Sequence, residues 1–216
     1  MTFHIITLFP NAFKSYLGES IVKRAIEDKK IKIKFYGPKD FKSDKKKRID
    51  DKPYGGGPGM VLRGLPVIKA TASAVAKSKK GKTKIIFLSP SGKQFTNQYA
   101  DSVVKKYTDI IIVSGRYEGV DARLKKVFKM EEVSIGPFVL TGGELPAMII
   151  IDSISRRVPG VIGNRMSLEE TRTAAKDVYT RPEKFIYKNK TYRVPKVLLS
   201  GDHEKIKEWR ERKKSI

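Results

Sequence analysis

The 216-residue chain has no cysteine and only two histidines. Without thiols it can form neither disulfides nor thiolate metal sites, and it has no cysteine nucleophile. His4 and His203 are far apart in sequence, so a multi-histidine metal site is excluded as well. His4 lies in an apolar N-terminal segment, where a packed, hydrogen-bonded role is expected. Long apolar runs are also missing. The run Met148-Ile149-Ile150-Ile151 is cut by Asp152 and cannot cross a bilayer. The start, Met1-Thr2-Phe3-His4-Ile5, lacks the basic opening and apolar stretch of a secretory leader, so a cytoplasmic location and no membrane partner are expected. Neither a P-loop nor a GxGxxG fingerprint is present.

Acidic residues are scarce relative to basic ones. Lys and Arg total 46 against 23 Asp and Glu, a net charge of +23. Such an excess repels itself in a compact chain and points to a polyanionic partner, first of all a nucleic acid. The composition is nonetheless globular, with 39% hydrophobic residues.

Strand-like and helix-like segments alternate. Strands are expected at Phe3–Leu8, Ile31–Tyr36, Lys84–Ser89 and Asp109–Ser114, the third ended by Pro90-Ser91-Gly92. Helices are expected over about residues 11–28, 65–78, 97–107, 121–130 and 144–156. Continuously apolar central strands separated by helices predict an α/β fold with a parallel sheet covered on both faces. The predicted divisions are 1–160 as the main domain, 161–178 as a polar linker and 179–216 as a small appendage. The appendage ends in a helix bearing Lys205, Lys207, Arg210, Arg212, Lys213 and Lys214. The run Lys45-Lys46-Lys47-Arg48 reads equally as a solvated loop.

Glycine is concentrated in loops. Pro53-Tyr54-Gly55-Gly56-Gly57-Pro58-Gly59-Met60 cannot be helix or strand interior, and its free amides suit a phosphate or a base laid against the backbone. Gly115-Arg116-Tyr117-Glu118-Gly119 follows the most apolar strand directly. There Glu118 is a candidate for a ribose hydroxyl or a cationic group, and Tyr117 for stacking on a base. Ser134-Ile135-Gly136 and Thr141-Gly142-Gly143-Glu144-Leu145-Pro146 supply a second wall. These loops suggest chemistry performed on the nucleic acid; the competing reading is a non-catalytic RNA-binding module.

The motifs resemble those of the bacterial tRNA (guanine-N1-)-methyltransferases. The resemblance runs through Ile6-Thr7-Leu8-Phe9-Pro10, residues 50–60, Leu88-Ser89-Pro90, residues 114–121 and Ser134-Ile135-Gly136. It continues through residues 142–148, Asp152-Ser153-Ile154-Ser155-Arg156, Pro159-Gly160-Val161, Tyr179-Thr180-Arg181-Pro182 and residues 194–203. It implies methylation of guanosine 37 in the anticodon stem-loop of tRNA, a modification tied to reading-frame maintenance. It also implies a SPOUT-type domain with a deep trefoil knot, a homodimer with both subunits contributing to each site, and S-adenosylmethionine as methyl donor. The implied donor contacts are Leu88, Ser89, Pro90, Gly115, Tyr117, Glu118, Ile135, Gly136, Pro137, Phe138, Val139, Leu140 and Gly143. Phe87 stands where the family commonly has tyrosine. The family's reaction is Mg²⁺-assisted, but no metal ligand set is visible.

The implied catalytic pair is Arg156 and a linker carboxylate. Guanine N1 is a poor nucleophile until its proton leaves, and a carboxylate can take that proton. The negative charge then spreads to O6, where a guanidinium stabilises it. An ungapped count puts the family's aspartate at Ala175. Asp177 is the expected base, with Glu169 and Glu170 as alternatives. The resemblance also implies a shortened, mainly helical C-terminal tRNA-binding domain.

Overall fold

The apolar run at 109–113 becomes the central strand of a five-stranded parallel sheet. The computed structural model describes residues 1–42, 48–163 and 177–212. The sheet is built from β1 (Thr2–Ile6), β2 (Lys32–Tyr36), β5 (Thr83–Gln94), β6 (Asp109–Val113) and β7 (Glu131–Ser134). Its order is β2-β1-β6-β5-β7, with every neighbouring pair parallel. β6 is buried along its whole length, as a strand covered on both faces must be.

Side-chain alternation divides the interior into two cores. Phe3, Ile5, Ile110, Ile112 and Ile86 face one side. They meet α1 (Lys14–Leu17), α2 (Ser20–Glu27), α4 (Asn97–Lys106) and α6 (Glu144–Ser155). Ile6, Ile111, Val113 and Phe87 face the other side, against α3 (Gly64–Ala76) and α5 (Arg123–Val127). In α6, Ala147, Ile150, Ile151 and Ile154 form the buried stripe, whereas Leu145 and Ile149 remain exposed. The edge strand β2 alternates lysine outward, which discourages further pairing.

His4 is fully buried, as its apolar surroundings suggested. Its Nε2–H donates to Asp109 at 2.9 Å and its Nδ1 accepts from the Tyr36 hydroxyl at 3.0 Å. Burial lowers the His4 pKa, against the opposing pull of Asp109.

Several boundaries differ from expectation. The helix expected over 11–28 is broken into a 3-10 turn (Pro10–Phe13), α1 and α2, with Gly18 between them and Ser20 at φ 51°. β5 does not stop at Pro90. Its register shifts between Leu88 and Lys93, and Gln94 again pairs with Ser134. A strand can carry proline at such an irregularity, where the missing N–H costs no ladder bond. The helix expected over 121–130 shortens to α5. A small antiparallel pair, β3 (Asp50–Asp51) with β4 (Val61–Leu62), brackets the glycine-rich loop.

The chain divides into two compact units, Met1–Gly163 and Asn164–Ile216. The described part of the second is not only helical. It holds a hairpin of β8 (Lys184–Tyr187) and β9 (Lys190–Arg193), a 3-10 turn (Lys196–Leu199) and α7 (His203–Arg212). The helix expected near His203 is present; the hairpin was not read from the sequence. Tyr179 packs on Trp209 with ring centroids 6.1 Å apart. Lys45–Lys47, Glu169, Glu170, Ala175, Lys213 and Lys214 lie outside the described residues.

Candidate active site

Strands β6 and β7 deliver their C-terminal ends, and β5 its irregular stretch after Leu88, to one place. Ligands of open parallel sheets bind beyond the carboxyl ends of strands. Here the segments 88–91, 115–119 and 134–143 surround a cleft of about 430 Å³.

The cleft depends on two loops that touch through bare backbone. The Gly143 amide donates to the Gly115 carbonyl at 2.9 Å, and Arg116 bridges Gly142. A Cβ at 143 would sit 2.7 Å from Ser114 Cα, so a larger residue forces the loops apart. The Ser134 hydroxyl donates to the Gly136 carbonyl at 2.9 Å and stands 3.2 Å from the Gly136 amide, which sets the direction of the second loop.

A buried polar clamp holds these loops on α6. Glu144 is 3% exposed at the first turn of α6. Its carboxylate accepts from the Thr7 hydroxyl at 2.8 Å and lies 2.9 Å from Arg116 Nε. That ion pair lacks hydrogen-bond geometry, so the attraction is Coulombic. The Arg116 guanidinium lies 4.6 Å from the Phe9 ring centroid, and its Nη1 donates to the Thr141 carbonyl at 3.2 Å. Thr7, Phe9 and Glu144 were not recognised from sequence as holders of the site. The only signal was their presence within motifs, since the partners are far apart along the chain.

The glycine-rich loop joins the same constellation. The Glu118 amide donates to the Met60 carbonyl at 3.0 Å. Gly59, at φ 85°, sits where a Cβ would meet the Glu118 side chain at 2.7 Å. Tyr117 stays half exposed beside this loop. Arg48 holds the Asp50 carboxyl below its ordinary range, against the opposing effect of burial.

Most residues singled out as donor contacts fall on the cleft. Leu88, Ser89 and Pro90 line it from β5, and Gly115, Tyr117 and Glu118 from the loop after β6. Ile135, Phe138, Val139, Leu140 and Gly143 line it from the third side. Gly136 and Pro137 do not. Gly136 lies behind the Phe138 ring, against which a Cβ would collide. Phe87 also lines the cleft, with Lys125 Nζ 5.8 Å from its ring centroid.

Of the expected catalytic residues, Arg156 lies in the same unit as the cleft and Asp177 does not. Arg156 is the C-cap of α6, partly buried, and is not in the cleft lining. One turn earlier, Asp152 lies close enough to Tyr16 to influence its hydroxyl. Burial first and then Asp152 push the Tyr16 pKa up to about 12, against the positive charge of Arg156. The next residue, Arg157, is buried and ties α6 to α4, donating to Asp101 and Asn97 at 2.8 Å each. Asp177 belongs to the second unit and is exposed. Among the described residues, no group of three or more His, Asp or Glu side chains forms a metal site.

A parallel sheet with a backbone-lined cleft at its strand ends defines an α/β domain for a small ligand. A family model described as "tRNA (Guanine-1)-methyltransferase TrmD" matches residues 1–216. A tRNA (guanine-N(1)-)-methyltransferase of Clostridioides difficile is 45% identical over 222 residues, covering 100% of this chain and 93% of that protein. Its counterpart in Pseudoalteromonas atlantica is 42% identical, covering 97% and 78%. That of Dictyoglomus turgidum is 44% identical, covering 95% and 82%. The chain belongs to the tRNA (guanine-1)-methyltransferase family, and its reaction is methyl transfer to N1 of a tRNA guanine.

Proposed function

We propose that the chain methylates guanosine 37, on the 3′ side of the tRNA anticodon, using S-adenosylmethionine held in the cleft between the Gly115 and Gly143 loops. The observation that carries this reading is the backbone-to-backbone contact of those loops over the ends of β6 and β7 and the irregular stretch of β5, in a chain of this family. The donor fits on structural grounds. The cleft offers bare backbone at Gly115 and Gly143, apolar side chains at Leu88, Ile135 and Leu140, and a carboxylate at Glu118. The Ser114 hydroxyl beside it is buried without a hydrogen-bond partner among the described residues.

The bound donor supplies an electrophilic methyl carbon on a positively charged sulfur. The residues of this chain prepare the acceptor. The Asp177 carboxylate takes the proton from guanine N1. The freed N1 electron pair forms the new bond to the methyl carbon while the carbon–sulfur bond breaks, leaving a neutral thioether. The Arg156 guanidinium stabilises the charge that develops on O6. Glu118, Tyr117 and the 53–60 loop orient the two reactants, and Arg116, Glu144, Thr7 and Phe9 keep the donor loops in place.

The same reading includes a trefoil-knotted SPOUT arrangement of the loops after β6 and β7, and a homodimer acting in the cytoplasm. Exposed Leu145, Ile149, Phe138 and Val139 support pairing of two copies, because such side chains favour a covered face. No helix among the described residues is long and apolar enough to cross a membrane. The +23 charge suits tRNA.

Calorimetry with S-adenosylmethionine, paired with methylation of transcripts carrying guanosine or adenosine at position 37, tests the reading. Donor binding with transfer to the guanosine transcript alone is expected. No donor binding, or equal transfer to both, contradicts it.

A further inference from the structure

The hairpin β8–β9 carries its aromatic side chains into solvent. Its turn is Lys188-Asn189, both left-handed at φ 46° and 58°, the geometry of a tight two-residue hairpin. Asparagine tolerates that conformation, but lysine is a costly choice for it. Every strand residue is exposed. Alternation puts Phe185, Tyr187, Lys190 and Tyr192 on one face of the ribbon and Lys184, Ile186, Thr191 and Arg193 on the other.

The first face is an ordered platform. Phe185 and Tyr192 lie directly opposite and stack at 5.4 Å between centroids, with planes 20° apart. Lys190 Nζ is 5.7 Å from the centroid of Tyr192, and Lys188 Nζ is 5.6 Å from that of Tyr187. Phe185, Tyr187 and Tyr192 are 56%, 59% and 41% exposed. Between residues 184 and 193 there are three lysines and one arginine but no carboxylate.

We propose that this hairpin is an RNA-contact element: its aromatic face stacks on unpaired bases of the tRNA, and Lys188 and Lys190 meet the adjoining phosphates. This rests on tRNA being the substrate. Flat rings beside cations, with no acidic residue, match the two chemistries that single-stranded RNA presents. Unpaired bases are the match because bases in a duplex already cover each other's faces. The same ribbon of a second copy is a poorer occupant, because its three lysines and one arginine would meet like charges with no carboxylate between them. Isolated two-stranded hairpins are marginal in water, so a partner that covers the rings also stabilises the element.

Equilibrium binding of the full chain to an unmodified tRNA transcript, over a series of salt concentrations, tests the proposal. Tyr187→Ala with Tyr192→Ala is expected to weaken binding by about tenfold or more, with an unchanged salt slope. The paired Tyr→Phe variants keep the ring faces and are expected to bind like the parent. Lys188→Gly relieves the left-handed strain and keeps the turn, yet is expected to lower the salt slope by about one phosphate contact. Parent-like binding by the alanine pair overturns the proposal, as does an equal loss in the phenylalanine pair. Loss of binding together with a change in sedimenting mass assigns the face to a second copy and also overturns it. If the parent chain binds no tRNA at all, the functional reading itself fails, a different outcome from a hairpin that does not matter.

Discussion

Gly143 donates its amide to the carbonyl of Gly115 at 2.9 Å, joining the loops after β6 and β7 without an intervening side chain. The contact leaves no room for Cβ at 143, which would stand 2.7 Å from Ser114 Cα. Gly143→Ala is therefore expected to cost about 1–3 kcal/mol of stability through overpacking. If the displaced loops bind the donor, a loss of about tenfold in affinity corresponds to only 1.4 kcal/mol. Calorimetry and thermal melting on the same variant read both effects. Parent-like donor affinity would separate this contact from donor binding.

The Arg116–Glu144 pair gives a second expectation. Arg116→Met leaves a carboxylate that is 3% exposed, with the Thr7 hydroxyl as its hydrogen-bond partner among the described residues. Loss of one member of a buried pair typically costs about 3–5 kcal/mol. The guanidinium is partly exposed, so the lower end is expected here. Thr7→Val removes one hydrogen bond to the same carboxylate and should cost about 1.5–3 kcal/mol at most. Denaturant unfolding of the two single variants and the double variant checks this. Strict additivity would contradict a shared network.

The buried His4 sets a pH dependence. Its pKa is lowered by burial from the ordinary 6.5, so the unfolded chain binds a proton that the folded chain resists. The stability linked to this group is fully present above 6.5 and is lost as pH falls toward the depressed folded value. Asp109 is also lowered, because the hydrogen bonds from His4 and Thr108 outweigh the opposing effect of burial. Its contribution is lost only below its ordinary 3.8. Melting temperature should therefore fall on acidification through pH 6, and His4→Gln should flatten that slope even if it lowers stability throughout. An unchanged slope in the variant would contradict a neutral buried His4.

The parts that were legible in sequence are those with a strong local signature. Ile110, Ile111 and Ile112 mark a strand covered on both faces, and the loop following it marks the site. β7 was missed because Glu131-Glu132-Val133-Ser134 is an edge strand without an apolar run. The continuation of β5 past Pro90 was missed because a register shift, not local propensity, permits it. The hairpin at 184–193 was missed because its turn uses Lys188-Asn189 in place of glycine. In the site, glycines were visible but their holders were not. Thr7, Phe9, Arg116 and Glu144 meet only through the fold.

The most direct measurement is single-turnover methyl transfer to a guanosine-37 tRNA transcript by the Asp177→Asn variant, with S-adenosylmethionine affinity measured on the same preparation. The expected result is parent-like donor binding with methyl transfer abolished. Near-normal transfer would remove Asp177 as the base and contradict the mechanism.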